Sequence, residues 1–312
     1  MYDTVRLELD YLDYRGKGFL DVIPAKLENV QWHKYNNTGI EYVTGYLDNK
    51  LLVVASKKKV KIPKGNIRDW FFGNPFYELK RGTTEEAILK LEDRLSVPIS
   101  ESKVSRIDLG TTLSTEYKPD IYYRHFGYRK GFERQEMNNG IYYESNTDRF
   151  IVYGPLKKLQ KKGIPIDDSR KQKNYLRLEN RNQQRVAAKY QRKIIKAKDL
   201  YDEAFYMQVV DKWKDAYFGI NKIPSKLNEI KPTGSTKEFI NNLACMALSD
   251  IGQINALKLI KEWQQKRIIG KKEASDLRKK ILHLSSREYC EVQSELMKEL
   301  DRKVTLISDR YR

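Results

Sequence analysis

The stretch Ser105-Arg106-Ile107-Asp108-Leu109-Gly110 reads as a buried strand. Strand side chains alternate between faces, so Arg106, Asp108 and Gly110 fall on one side while Ile107 and Leu109 pack into a core. An acid so placed wants a counter-charge or a metal, and Gly110 leaves room beside it. The logic returns at Leu176-Arg177-Leu178-Glu179, where Arg177 and Glu179 share a face, and at Arg149-Phe150-Ile151-Val152-Tyr153, where Arg149, Ile151 and Tyr153 do. If these three strands pair, two carboxylates and a phenol meet over one surface of a sheet.

Around this centre the chain is strand-rich first and helical later. Period-two alternation runs through Thr4–Leu9, 39–47 and 51–54, punctuated by Asn-Asn, Asn-Lys and Gly turns, which predicts hairpins. Thr83 or Thr84 is placed to cap a helix whose Ala87, Ile88, Leu91 and Leu95 form one stripe, with Pro98 as its stop. From about Val186 the pattern is helical, including Leu200–Tyr217. Residues 221–237, with Pro224, Pro232, Gly234 and Ser235, form the best linker, and apolar stripes beyond it predict a small helical unit. That unit suits a helix-turn-helix reader of duplex DNA or a plain packing bundle equally well. No internal repeat or low-complexity tract is visible.

The 312 residues carry 60 Lys and Arg against 42 acids, a formal charge of +18. Such a surplus points to a polyanionic partner, most often nucleic acid. It is concentrated: residues 154–200 hold 15 basic residues against four acids, and this segment adjoins Tyr153 and encloses Glu179. No apolar run has the length of a signal peptide or a membrane span, so a soluble intracellular protein is expected. Cys245 and Cys290 stand far apart, which excludes a disulfide framework and an ordinary zinc site; both are expected to be buried small apolar residues.

Two protein carboxylates, with water and a substrate phosphate completing the shell, suit Mg²⁺ or Mn²⁺, and Asp108 and Glu179 are the candidates. The same acids would equally suit simple salt bridges to Arg106, Arg177 or Arg149. Tyr153 is singled out as nucleophile by position, with Tyr142, Tyr143 and Tyr175 as competitors and base stacking as another role for Tyr142-Tyr143. His33, His125 and His283 are isolated, so no histidine clamp can hold a metal, and no P-loop is encoded.

Taken in order, Met1-Tyr2-Asp3-Thr4-Val5, Gly73-Asn74-Pro75, Ser105–Gly110, Tyr142-Tyr143, Phe150–Tyr153 and Leu176–Glu179 resemble the phage and plasmid replication initiators of the filamentous-phage gene II type. The resemblance covers about the first 200 residues. With the helical pattern of the tail it gives an expected α+β fold: the resemblance implies an antiparallel-sheet nickase-type domain over residues 1–222, and the apolar stripes predict a small all-helical accessory unit over 236–312, for DNA binding or oligomerisation. It implies a rolling-circle initiator that nicks one origin strand and later rejoins it through a tyrosine-5′-phosphate. The alternative is a relative that keeps the fold and DNA binding without the chemistry. Tyr153 would be the nucleophile, and Asp108 and Glu179 would hold Mg²⁺ or Mn²⁺. Arg106, Arg149, Lys157, Lys158, Lys161, Lys162, Arg177 and Arg181 would meet DNA. The implied partners are an origin that is single-stranded or hairpin at the nick and the helicase and polymerase of a bacterial host, in whose cytoplasm the protein would work. Where the family continues its tyrosine as Tyr-x-Lys, this chain has Tyr153-Gly154-Pro155, followed by Lys157 and Lys158.

Overall fold

The computed structural model describes the whole chain except residues 15, 74–76, 162, 165, 223–234, 286–294 and 312. Asn74 and Pro75 of the quoted motif, Lys162, Cys290 and most of the expected linker therefore lie outside the described residues.

The strands are β1 (Tyr2–Asp10), β2 (Glu28–Lys34), β3 (Glu41–Leu47), β4 (Leu51–Ser56), β5 (Lys59–Lys64), β6 (Lys103–Thr115), β7 (Phe126–Arg129), β8 (Glu133–Met137), β9 (Gly140–Glu144), β10 (Asp148–Tyr153), β11 (Asn174–Asn182) and β12 (Ile220–Lys222). Ten of them form one antiparallel sheet in the order β2-β3-β4-β5-β1-β6-β11-β10-β9-β8, and β7 pairs with β12 separately. The Asp108, Glu179 and Tyr153 strands are thus adjacent, with β11 in the middle. The longer helices are α1 (Ile67–Phe72), α2 (Arg81–Leu95), α3 (Pro155–Lys161), α4 (Glu203–Phe218), α5 (Thr236–Ile251), α6 (Gln253–Gln265), α7 (Lys271–Leu284) and α8 (Glu295–Arg310).

The alternation read from the sequence sets the two faces. Leu7, Leu9, Ile107, Leu109, Phe150, Val152, Leu176 and Leu178 turn inward and share one core with Ala87, Ile88, Leu91 and Leu95 of α2, Phe205, Val209 and Trp213 of α4, and Met297, Leu300 and Val304 of α8. Burial of each large side chain contributes roughly 1.5–3 kcal/mol, so this face anchors the sheet. The opposite face carries Arg106, Asp108, Arg177, Glu179, Arg181 and Tyr153.

The N-cap of helix α2 is Lys80, three residues before Thr83 and four before Thr84, and the Thr83 hydroxyl accepts from its backbone N–H at 2.9 Å. It ends at Leu95 because Ser96 adopts a left-handed conformation, before Pro98 is reached. Helix α4 begins after Asp202, whose side chain accepts from the Phe205 N–H at 2.9 Å.

The expected division at 1–222 and 236–312 does not describe how α8 packs. Its Met297, Leu300 and Val304 are buried in the main core, Tyr122 donates to Glu299 at 2.5 Å, and Tyr217 donates to Asp301 at 2.8 Å. Helices α5, α6 and α7 contact one another and carry a small core of their own around Cys245, which is buried as expected, and Leu284.

The sheet also holds a repeat that no sequence tract announces. Outward from its centre one half runs β1, β5, β4, β3, β2, and the other runs β6, β11, β10, β9, β8. Each half is a long strand, a helical turn, four strands of which the last returns to the first, and then helices; the second half also inserts β7 before β8 and a helical segment between β10 and β11. Arg6 pairs with Arg106 across the centre, so Arg6-Leu7-Glu8-Leu9 and Arg106-Ile107-Asp108-Leu109 are related by an approximate two-fold axis.

Candidate active site

The polar face of β1, β6, β11 and β10 forms the floor of a cavity of about 210 Å³. Asn66, Arg68 and Asp69 at the start of α1 line one side; Pro155 and Leu159 of α3, with Ile164, line the other. Four arginines, Arg68, Arg106, Arg177 and Arg181, face four acids, Asp3, Asp69, Asp108 and Glu179, with Tyr153 among them.

Register explains the convergence. Arg181 lies opposite Asp108, Glu179 opposite Gly110 and Ile151, and Tyr153 opposite Arg177, so all these side chains emerge on one face. The Tyr153 hydroxyl donates to Glu179 Oε2 at 3.2 Å, and Arg181 Nε donates to Glu179 Oε1 at 2.7 Å. The same Nε stands 4.0 Å from Asp108 Oδ2, so the two acids share one guanidinium. Arg106 forks Asp108 with bonds of 2.8 and 2.6 Å. Both candidate metal ligands are therefore ion-paired.

A second cluster lies deeper. Asp3 receives Arg177 and pairs with Arg68 at 2.6 Å, while Arg177 also donates to the Thr112 hydroxyl at 2.8 Å. Gly110 is the residue that permits it. A Cβ there would sit 2.7 Å from Asp3 Oδ2 and 2.9 Å from Arg177 Cζ, with Nη2 closer still. The glycine thus makes room for this ion pair rather than for a ligand of Asp108.

Electrostatics separates the two clusters. Burial alone would raise the Asp3 carboxyl, yet Arg177 and Arg68 outweigh it and hold the group below its ordinary range. Asp108 is pushed up to about 6, first by burial, with Glu179 adding to the rise and Arg106 and Arg181 opposing it. Burial, reinforced by Glu179, raises the Tyr153 phenol well above its ordinary value, so a base must take its proton if it is to attack near neutral pH.

Several expected contacts fall elsewhere. Arg177, expected toward DNA, is buried and committed to Asp3. Arg149 does not line the cavity and pairs with Glu144 at 2.6 Å. Lys157, Lys158 and Lys161 lie on α3 beside the site, but their side chains are outside those described. Pro155 stands in the cavity wall where a lysine was expected, and arginines from β6 and β11 supply the positive charge. Tyr143 is buried and donates to the Gly127 carbonyl at 2.7 Å, which removes it as a stacking residue; Tyr142 is half-buried, opposite Ile151. Asp3 and Arg68 were missed. Strict alternation puts Asp3 in phase with Val5, Leu7 and Leu9 of the core, and the register shift between Tyr2 and Val5 turns it to the polar face, which the sequence pattern does not signal.

The donor set bears on a divalent ion. Two carboxylates and a phenol are oxygen donors only, the kind Mg²⁺ and Mn²⁺ take. Among the described residues no group of three or more His, Cys, Asp or Glu is arranged to hold a metal, so water and substrate oxygens would have to complete the shell. No helix among the described residues is long and apolar enough to cross a membrane. No protein-family model matches the chain, and no curated protein matches it either.

Proposed function

We propose that this chain is a rolling-circle replication initiator that nicks and rejoins one DNA strand through Tyr153. The observation that carries the reading is the convergence of Tyr153, Glu179 and Asp108, from three adjacent strands, in one arginine-lined cavity of a strongly basic chain.

The chemistry follows from the hydrogen bonds. The Tyr153 oxygen attacks the scissile phosphorus while its proton passes to Glu179 Oε2, which already accepts that hydrogen bond. The bond from phosphorus to the 3′ oxygen breaks and the departing oxygen takes a proton from water, leaving a 3′-hydroxyl and a 5′-phosphate joined to the tyrosine. Rejoining is the reverse: the 3′-hydroxyl gives its proton to water as its oxygen attacks the phosphotyrosine, the bond from phosphorus to the tyrosine oxygen breaks, and that oxygen takes back the proton held by Glu179. Arg106 and Arg181, with side chains 16% and 22% exposed, can turn toward a phosphate, whereas Arg68 and Arg177, at 6% and 5%, are locked to Asp3. Such a turn would also free Asp108 and Glu179 as ligands. Mg²⁺ or Mn²⁺ held there would supply electrophilic activation of the phosphate.

Ion pairing of both acids, with Pro155 in place of lysine, favours one second reading: a DNA-binding replication or copy-control protein without nicking activity. Supercoiled DNA of the replicon that encodes the chain, incubated with protein and Mg²⁺ or Mn²⁺, separates the two. The initiator reading expects relaxed circles and a denaturation-resistant adduct that Tyr153→Phe abolishes; tight binding with neither product supports the second. The host polymerase and helicase remain the expected partners.

A further inference from the structure

The approximate two-fold of the sheet places a second surface beside the cavity. Asp108 and Arg181 face each other across β6 and β11; at the related positions Glu8 faces Lys61 across β1 and β5. Glu179 corresponds to Lys59, opposite Asp10. The N-terminal half thus repeats the architecture of the site with a lysine where the second acid would stand.

Its cover is also missing. Residues 154–173 link β10 to β11, and Pro155, Leu159 and Ile164 among them wall the cavity, whereas only Lys57 and Lys58 link β4 to β5. Among the described residues the related face is left open. The hairpin 57–64 carries five lysines and no acid. Lys59, paired with Glu8 and Asp10, and Lys61, paired with Glu8, keep side-chain exposures of 42% and 45%, and Arg6, next to cavity-lining Arg106, is exposed.

Aromatic rings continue the row. Ser56 lies opposite Tyr42, and Tyr42 opposite His33. Tyr42 stacks on His33 at 4.8 Å and on Tyr35 at 4.5 Å, and Tyr35 is 52% exposed. Cations followed by an exposed ring stack are what a single strand needs: phosphates meet the cations and bases stack without regard to sequence.

We propose that the open face of the N-terminal half-sheet, from Arg6 across Lys59 and Lys61 to the Tyr35–Tyr42 stack, is a track that binds single-stranded DNA and leads it to the cavity. At about 4.8 Å per strand it extends roughly 19 Å from β6 to β3. The inference rests on the DNA-processing reading, but binding can be measured without cleavage.

The test uses full-length protein and a fluorescent 15-nucleotide DNA of mixed sequence, read by anisotropy over a salt series, with the matching duplex alongside. Wild type should bind the single strand more tightly than the duplex. Arg6→Ala/Lys61→Ala should weaken binding and flatten the salt dependence by about 0.7 for each phosphate no longer neutralised, and Arg6→Lys/Lys61→Arg should restore both. Tyr35→Ala should weaken binding at least fivefold with the salt slope unchanged. Thermal melts matching wild type show that each variant is folded. Wild-type binding by either alanine variant, or tighter binding of duplex than of single strand, would overturn the proposal. Failure of the nicking reading would appear separately, as no adduct from a protein that still shows this pattern.

Discussion

Replacing Gly110 by alanine should unlock the deepest charges of the site. The new Cβ would lie 2.7 Å from Asp3 Oδ2 and 2.9 Å from Arg177 Cζ, against an ordinary contact of at least 3.4 Å. Neither neighbour is a free chain end: Arg177 is fastened to Asp3 and Thr112, and Asp3 also to Arg68. The guanidinium must move by more than half an ångström, and the ion pair opens where water does not reach. Breaking a buried pair costs about 3–5 kcal/mol. At roughly 2–4 °C per kcal/mol in a chain of this size, the melting temperature should fall by about 6–20 °C. The control is Gly82→Ala near the start of α2, where a Cβ would meet nothing within 4 Å, so it should raise stability slightly. Calorimetry on the two variants reads the result. A Gly110→Ala protein melting within about 2 °C of wild type would refute the claim that Gly110 exists to admit the Asp3–Arg177 pair.

Asp108 makes a pH prediction for protein in chelator. Its carboxyl titrates near 6 when folded and near 3.9 when unfolded, so between those values the folded state holds a proton that the unfolded state lacks. Stability therefore falls as pH rises from about 4 to about 6, by about 2–3 kcal/mol, and Asp108→Asn should remove that part of the slope in urea titrations at stepped pH. Glu299→Ala should cost about 1–3 kcal/mol in urea unfolding, because it leaves Tyr122 and the Glu116 N–H without their acceptor and loosens α8 from the main core. Tyr153→Phe loses the hydrogen bond to Glu179, so its unfolding free energy should drop by about 1 kcal/mol while nicking disappears.

The legible part of this molecule was local. Alternation at Ser105–Gly110, Phe150–Tyr153 and Leu176–Glu179 assigned faces that the structure bears out, because one face of each strand is buried and a one-residue slip would reverse it. What escaped was long-range. Asp3 meets Arg177 across a sequence separation of 174, and no local period reports such a pair. Arg149 was grouped with the site because it shares a face with Tyr153, but Glu144 on the neighbouring strand holds it away from the cavity. The return of α8 to the main core could not be read from its stripe, since Met297, Leu300 and Val304 would suit a separate bundle equally well. The two-fold of the sheet lies in strand order, with only Arg6-Leu7-Glu8-Leu9 as its trace in sequence.

The central claim is that Tyr153 carries the phosphate of a cut strand, and the covalent adduct tests it most directly. Supercoiled DNA of the parent replicon, incubated with Mg²⁺ or Mn²⁺, denatured, digested with nuclease and protease and mapped by mass spectrometry, should yield a nucleotide-phosphate on the peptide containing Tyr153, absent from Tyr153→Phe. An adduct on another tyrosine, or relaxed circles with no adduct, would contradict the account.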